Sequence, residues 1–326
     1  MEKREIERAN LKVSSIGLGT WQLGSDWGDV SEERALEILQ SAVGAGVNFI
    51  DTADVYGDGR SERIIGKFLK NNPSNSVIVA TKMGRRAPLS ASFYTYDNFA
   101  SWVDRSRENL GGETLDLTQI HCPPDDVFDN DDVYDALDRL VDEGAIKRYG
   151  VSVETCSQAL RAIERPNVST IQIIFNAFRL KPLDEVLPSA KEAGVGVIAR
   201  IPLASGLLSG KYSKDTIFSP NDHRNYNRNG EAFDVGETFS GVDYEIGLEA
   251  ARKFAGLQSE VAPATAAIAW ILSHDAISTV IPGARNIEQL KGNLAAADQI
   301  ALGRSINTGV VDIYDQYLRS AIHPRW

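Results

Sequence analysis

Four side chains in this sequence have the types and placement to move a proton. Asp51 ends the short apolar run Phe49-Ile50-Asp51, and Tyr56 follows in a loop punctuated by Gly57 and Gly59. Lys82 closes the run Val77-Ile78-Val79-Ala80-Thr81-Lys82, and His121 closes a third, Leu115 to His121. A tyrosine with a solution pKa of about 10 is a poor acid at neutral pH. A neighbouring ammonium stabilises its phenolate and makes it a better one. Lys82 can supply that ammonium, Asp51 can hold the lysine charged and oriented, and His121 can hydrogen-bond a carbonyl oxygen. Together they would protonate an oxygen as hydride arrives at its carbon. Each residue also has a plainer role: a packing tyrosine, a turn-capping aspartate, a snorkelling lysine, a buried histidine. The signal is joint. All four fall at or just past the ends of successive strand-like runs.

The surrounding pattern supplies the elements that would position them. Residues 1–12 read as a small hairpin, and strands follow at Val13 to Leu18, Val47 to Asp51, Val77 to Lys82 and Leu115 to His121. Further strands are expected at Ile146 to Ser152, Thr170 to Asn176, Val195 to Ile201 and Thr279 to Pro282. Helical spacing fills most of the intervals, beginning after the N-cap Ser31. Two helices, near 243–256 and 262–273, precede the last strand, and two closing helices occupy about 286–297 and 303–321. Longer loops span about 83–97 and 212–240. Alternation of this kind implies a parallel sheet with right-handed crossovers. Eight repeats favour an α/β architecture of the (β/α)8 TIM-barrel type, with an N-terminal β-hairpin and extra C-terminal helices, forming one domain over 1–326. No G-x-G-x-x-G follows the first strand, so the dinucleotide fingerprint of a Rossmann domain is missing. In a barrel the ends of the strands ring one face, where active sites sit.

Composition narrows the class. The chain has 326 residues, 43% hydrophobic, enough for a sizeable core. A net charge of −11 argues against nucleic acid as a partner. Two cysteines, Cys122 and Cys156, are too few for a disulfide framework and point to a reducing cytoplasm. No apolar run approaches the ~18 residues of a membrane span, and the charged N-terminal stretch does not read as a signal peptide. No His-x-x-x-His or Cys-x-x-Cys spacing suggests a metal site.

Seven segments carry a family resemblance: Ile-Gly-Leu-Gly-Thr-Trp (16–21), Asn-Phe-Ile-Asp-Thr-Ala-Asp-Val-Tyr-Gly (48–57), Ala-Thr-Lys (80–82), Gln-Ile-His (119–121), Gly-Val-Ser (150–152), Ser-Gly-Leu-Leu-Ser-Gly-Lys-Tyr (205–212) and Ile-Pro-Gly-Ala-Arg-Asn (281–286). In this order, across nearly the whole chain, they resemble the aldo-keto reductases. The resemblance implies a single barrel that binds NADPH in extended form and reduces carbonyl compounds reversibly. It assigns Tyr56 as general acid and Asp51, Lys82 and His121 as its partners.

The same resemblance maps a cofactor groove. Gly19, Thr20, Trp21 and Asp51 would border it at the mouth of the barrel. Ser152 and Gln172 would hydrogen-bond the nicotinamide carboxamide. Where the family usually has Asn after that serine, this chain has Val153. Arg200 stands where an aromatic residue usually stacks on the nicotinamide; its planar guanidinium can stack as well, or serve as an ion-pair residue. Ile201, Pro202, Leu203, Ala204, Ser205 and Gly206 resemble the loop that passes over the pyrophosphate, with small residues that let backbone amides approach phosphate oxygens. Lys211 would add a cation and Arg224 would close over the ribose phosphate. Gly283 and a helix N-terminus suit an anion. Arg285 would pair with the 2′-phosphate, favouring NADPH over NADH. Gln289 and Asn293, four residues apart on one helix face, would reach the adenosine.

Substrate would enter over the same face. Trp21, Trp27 and the aromatics Phe93, Tyr94 and Tyr96 are candidate walls, and Arg85 and Arg86 hint at an anionic substrate. Trp326 would fold back towards the pocket or towards a neighbour. Two other readings stand beside a reductase. One is a cofactor-binding regulatory subunit resembling the potassium-channel β subunits of the same family. The other is an unrelated barrel enzyme using Lys82 as a Schiff base.

Overall fold

Eight parallel strands, paired in chain order, form the ring that holds these residues. They are seen in a computed structural model that describes residues 1–24, 30–74, 76–220 and 222–326. A hairpin comes first, β1 (Lys3–Ile6) against β2 (Leu11–Ser14), turning through Asn10 in the left-handed region at φ 47°. The barrel strands are β3 (Leu18–Gly19), β4 (Phe49–Asp51), β5 (Ile78–Met83), β6 (Leu117–His121), β7 (Tyr149–Ser152), β8 (Val168–Ile174), β9 (Gly196–Arg200) and β10 (Ile277–Val280). Each pairs with the next. Bridges Ile16–Val280 and Gly19–Gly283 join β10 back to the start, and the Gly17 N–H donates to the Val280 carbonyl at 2.8 Å. A Cβ on Gly19 would lie 2.7 Å from the Ile281 carbonyl oxygen, so this closing seam needs glycine there.

The expected first strand, Val13 to Leu18, is divided between two structures. Val13 belongs to the hairpin, opposite Arg4, whereas Ile16 bridges to Val280 and Leu18 and Gly19 pair with β4 in the barrel. Both uses demand apolar residues. Ile6, Ala9 and Val13 pack with Phe49, Ala80, Leu117 and Ile198 of the barrel interior, so the hairpin plugs one end of the ring. The remaining strands lie within a few residues of expectation.

Helices α1 (Glu32–Gly44), α2 (Arg60–Asn71), α3 (Tyr96–Leu110), α4 (Asp131–Asp142), α5 (Cys156–Glu164) and α6 (Val186–Glu192) return the chain between strands. Their ends follow local chemistry. Ser31 caps α1 by accepting from the Arg34 N–H, and Thr155 with Gln158 forms a capping box on α5. Between β9 and β10 lie α7 (His223–Tyr226), α8 (Tyr244–Ala255) and α9 (Pro263–Leu272). Every residue from Thr265 to Leu272 is buried, so α9 requires cover on all sides. After β10 come α10 (Ile287–Leu294), α11 (Ile300–Ser305), α12 (Asn307–Ile313) and α13 (Arg319–Ile322), of which α10 and α11 pack on α9 and Asn307 of α12 accepts from the Trp270 indole at 2.9 Å. No helix among the described residues is long and apolar enough to cross a membrane.

Candidate active site

Strand register brings the site together. Asp51 pairs with Gly19 and Ala80, Lys82 with Gln119, His121 with Ser152, and Ser152 with Gln172. Asp51, Lys82 and His121 therefore leave neighbouring strands at the same end. Tyr56 reaches them from the loop after β4, where its N–H donates to the Ala53 carbonyl at 3.1 Å. Gly57, at φ 58°, has no room for a Cβ because the backbone of Gly24 lies against it. This contact pins the tyrosine loop to the turn after β3.

Lys82 is the hub. Its Nζ donates to Asp51 Oδ1 at 2.7 Å, to the Thr52 carbonyl at 2.9 Å and to the Tyr56 hydroxyl at 3.3 Å. The ammonium thus spends its three hydrogens on a carboxylate, a carbonyl and the phenol. Burial works against its charge, but Asp51 and Tyr56 prevail and raise its pKa. An amine held protonated in this way is a poor nucleophile, which disfavours the Schiff-base reading.

Tyr56 feels opposing influences. Burial raises its pKa most, Lys82 lowers it, and Asp51 and Glu237 raise it, for a result of about 12. The hydroxyl is therefore protonated at neutral pH and has a proton to give. Its ring stacks on Trp21 at 6.0 Å and meets His121 edge-on at 6.1 Å. Burial, Arg85, Lys82 and Arg200 hold His121 well below the usual histidine range. It is a neutral imidazole, able to donate one hydrogen bond.

A cavity of about 540 Å³ opens over this cluster, a size suited to a cofactor or small-molecule ligand. Its wall includes Gly19, Thr20, Trp21, Asp51, Tyr56, His121, Gln172, Arg200, Ile201, Pro202, Leu203, Ser205, Gly206, Lys211, Arg224, Gly283, Arg285, Gln289 and Asn293. Ser152 and Ala204 are buried behind that wall. Gln172 Nε2 donates to Asp51 Oδ2 at 2.7 Å, which leaves its carbonyl oxygen facing other groups. Ser152 Oγ lies 3.5 Å from Cys122 Sγ.

The segment 201–206 has the backbone of an anion cradle. Ile201, Ala204 and Ser205 all have positive φ, at 52°, 46° and 54°, and Gly206 follows at 97°. For a β-branched residue such as Ile201 this is strained, and strain of this kind gathers at ligand sites. Asn176 Nδ2 holds the Ile201 carbonyl at 2.9 Å. On the other flank, Asn286 caps α10 by accepting from Gln289, whose Oε1 accepts from the Arg285 N–H at 2.9 Å. A strained loop of turned backbone, a capped helix start and two exposed cations, Lys211 and Arg285, suit a polyanionic, extended cofactor.

Several expectations change. Arg200 takes the ion-pair role, 3.3 Å from Glu237, with a further bond to the Val153 carbonyl at 3.1 Å. Arg85 pairs with Glu154 at 3.0 Å and approaches Glu237 at 3.8 Å, while Arg86 pairs with Asp58 at 2.6 Å. Neither loop arginine is offered to an anionic substrate. Tyr94 packs edge-on against Phe99 and Trp102, Tyr96 lies under Arg139, and Phe93 is exposed, so loop 83–97 gives the cavity no aromatic wall. Trp27 lies outside the described residues. Trp326 packs on the Arg179 guanidinium at 3.9 Å and against Gly236 and Gly241, on the loop that carries Glu237. Arg224 is paired with Asp222 at 2.5 Å and stacks on Phe218.

Other wall residues were not anticipated, among them Gln22, Ser209, Tyr212, Glu237 and Thr265. Tyr212 ends the quoted 205–212 segment and was within reach of that signal. Glu237 sits in a polar loop without periodicity, where the sequence does not distinguish it from other acidic residues of the loop such as Glu231 and Asp234. Cys122, Glu154 and Glu237 lie close enough to share an ion, but Arg85 and Arg200 already engage both carboxylates.

The comparisons agree with this architecture. The sequence matches the Aldo/keto reductase family over residues 15–306. It is 30% identical to "Uncharacterized oxidoreductase YqkF" of Bacillus subtilis (strain 168), over 91% of this chain and 92% of that protein. It is 31% identical to a "Probable voltage-gated potassium channel subunit beta" of Oryza sativa subsp. japonica, over 98% and 97%. Among solved structures, aldo-keto reductase AKR11C1 from Bacillus halodurans (holo form) superposes with a TM-score of 0.75 at 25% identity, covering 95% of this chain and 96% of that one. The chain belongs to the aldo/keto reductase family, a family of oxidoreductases.

Proposed function

We propose that this chain is an NADPH-dependent reductase of aldehydes or ketones, built as one barrel domain and working in the cytoplasm. The observation that carries the reading is the Lys82 ammonium, 2.7 Å from Asp51 and 3.3 Å from the Tyr56 hydroxyl, beneath a cavity that extends to a strained loop and a capped helix start. NADPH supplies the hydride when bound. His121, neutral, orients the carbonyl oxygen by hydrogen bonding. Tyr56 donates its proton to that oxygen, and Lys82, kept charged by Asp51, stabilises the phenolate left behind. In alcohol oxidation the same phenolate takes the proton back.

In the groove, the 201–206 backbone and Lys211 hold the pyrophosphate, Arg285 the 2′-phosphate, and Gln289 and Asn293 the adenosine. Gln172, tied to Asp51, faces the nicotinamide through its free amide oxygen. Arg200 is held by Glu237 at 3.3 Å.

The test titrates NADPH and NADH by intrinsic fluorescence, then follows nicotinamide absorbance with a broad aldehyde panel. Tight NADPH binding with consumption is expected. Saturation without turnover would move the weight to a cofactor-binding regulatory subunit, the reading favoured by similarity to the rice β-subunit protein. Failure to bind either nucleotide would remove both readings.

A further inference from the structure

The reacting end of the cavity contains a carboxylate that the chemistry does not require. Glu237 is buried, lines the cavity with Tyr56 and His121, and lies 3.3 Å from Arg200 and 3.8 Å from Arg85. Buried charges of this kind are retained only when paired.

Glu237 is also held firmly. Ser205 Oγ donates to its carbonyl at 2.9 Å and accepts from the Phe239 N–H at 3.0 Å, stitching this turn to the 201–206 loop. Asn176 bonds both sides of the seam, to the Ile201 carbonyl and to Ser240 Oγ, each at 2.9 Å. The indole of Trp326 backs Gly236 and Gly241, with Nε1 3.4 Å from Asp234 Oδ2. The carboxylate is thus fixed by the loop that also lines the cofactor side of the cavity.

The charges around the reacting atoms balance. Lys82 is matched by Asp51, Arg200 by Glu237 and Arg85 by Glu154. His121 and Tyr56 are neutral. The exposed cations of the wall, Lys211 and Arg285, are assigned to the cofactor's phosphates.

From this arrangement we infer that Glu237 is a specificity-determining residue: by neutralising Arg200 in the cavity wall it makes the chamber select carbonyl compounds that are uncharged near the reacting carbon and reject carboxylates. The inference rests on the reductase reading. A substrate carboxylate would find every cation beside the reacting atoms already paired, so it would lose its hydration in a poorly solvated site without gaining a partner. Without the Glu237 charge, the Arg200 guanidinium in the cavity wall would lose its partner and could pair with a substrate carboxylate.

The test compares 4-carboxybenzaldehyde with its neutral counterpart, methyl 4-formylbenzoate, at pH 7 with saturating NADPH. Wild type should favour the ester in kcat/KM by at least ~10-fold. Glu237→Gln should raise the acid-to-ester ratio by at least ~10-fold, and Glu237→Asp should keep the wild-type preference. Glu237→Gln should also lower the alkaline pKa of turnover, because Glu237 is one of the charges that raise Tyr56. A wild type that turns over both aldehydes without preference, or prefers the acid, would overturn the proposal while leaving the reductase reading intact. An unchanged ratio in Glu237→Gln would do the same. If Glu237→Gln fails to fold, the wild-type preference and the Asp variant still decide. Wild type that binds NADPH and reduces no aldehyde would remove both together.

Discussion

At the residue scale, the site works by setting protonation states. Tyr56 is kept protonated by burial against the pull of Lys82, and His121 is kept neutral by burial and three surrounding cations. With saturating cofactor, kcat for reduction should therefore be flat across the ordinary histidine range, from about pH 6 to about pH 8. An inflection near pH 6.5 that His121→Asn abolishes would show that the histidine titrates during turnover. Asp54, behind the tyrosine loop, makes the opposite case. It is fully buried, and among the described residues no side chain bonds its carboxylate. Burial first and Glu62 second raise its pKa to about 7, against the weaker pulls of Arg86 and Arg105. A folded-state pKa above the unfolded one means that its contribution is present at low pH and is lost as pH rises through about 7. Asp54→Asn should accordingly melt higher relative to wild type at pH 8 than at pH 5, by on the order of a few degrees. A pH-independent difference would mean that Asp54 is not the titrating group.

At the scale of elements, the proposed cofactor groove has two supports, the 201–206 loop with Ile201, Ala204, Ser205 and Gly206 in the left-handed region, and the start of α10. Arg285, just before the Asn286 cap, is placed to read a 2′-phosphate. Arg285→Ala should weaken NADPH by roughly 10-fold or more and NADH by much less, measured as Kd by fluorescence. Equal losses would mean that it does not distinguish the two. In the sequence, the segments that form these supports are picked out by the family resemblance of 205–212 and 281–286 and by the small residues Ala204, Ser205 and Gly206. The strands of the ring were legible because parallel strands covered on both faces read as dense apolar runs. Val13 to Leu18 misled because the hairpin plug and the first barrel strand both need buried apolar residues, and periodicity cannot show where one ends. The ion-pair role was one of two readings for Arg200, but its partner, and the pairing of Arg85 and Arg86, were hidden for a different reason. Their partners Glu154, Asp58 and Glu237 are distant in sequence, and nothing local announces an ion pair formed by tertiary folding.

At the scale of the whole molecule, the chain after the last strand acts as cover. Helix α9, buried from Thr265 to Leu272, lies between the barrel and α11, and Gly303 of α11 sits so close to α9 that a Cβ there would overlap the Ala269 carbonyl. Gly303→Ala should cost about 1–3 kcal/mol, at roughly 2–4 °C of Tm per kcal/mol, with NADPH binding retained below the transition. An unchanged Tm would show that the two helices can separate freely. The C-terminal stretch also reaches the site, since Trp326 braces the turn that carries Glu237.

The central claim is that Tyr56 is the proton donor, and Tyr56→Phe tests it most directly. The variant keeps the ring against Trp21 and removes only the hydroxyl that Lys82 contacts. NADPH should bind with nearly unchanged Kd while aldehyde reduction falls by at least ~100-fold, the scale of general-acid catalysis. Near-normal turnover with intact NADPH binding would contradict the account.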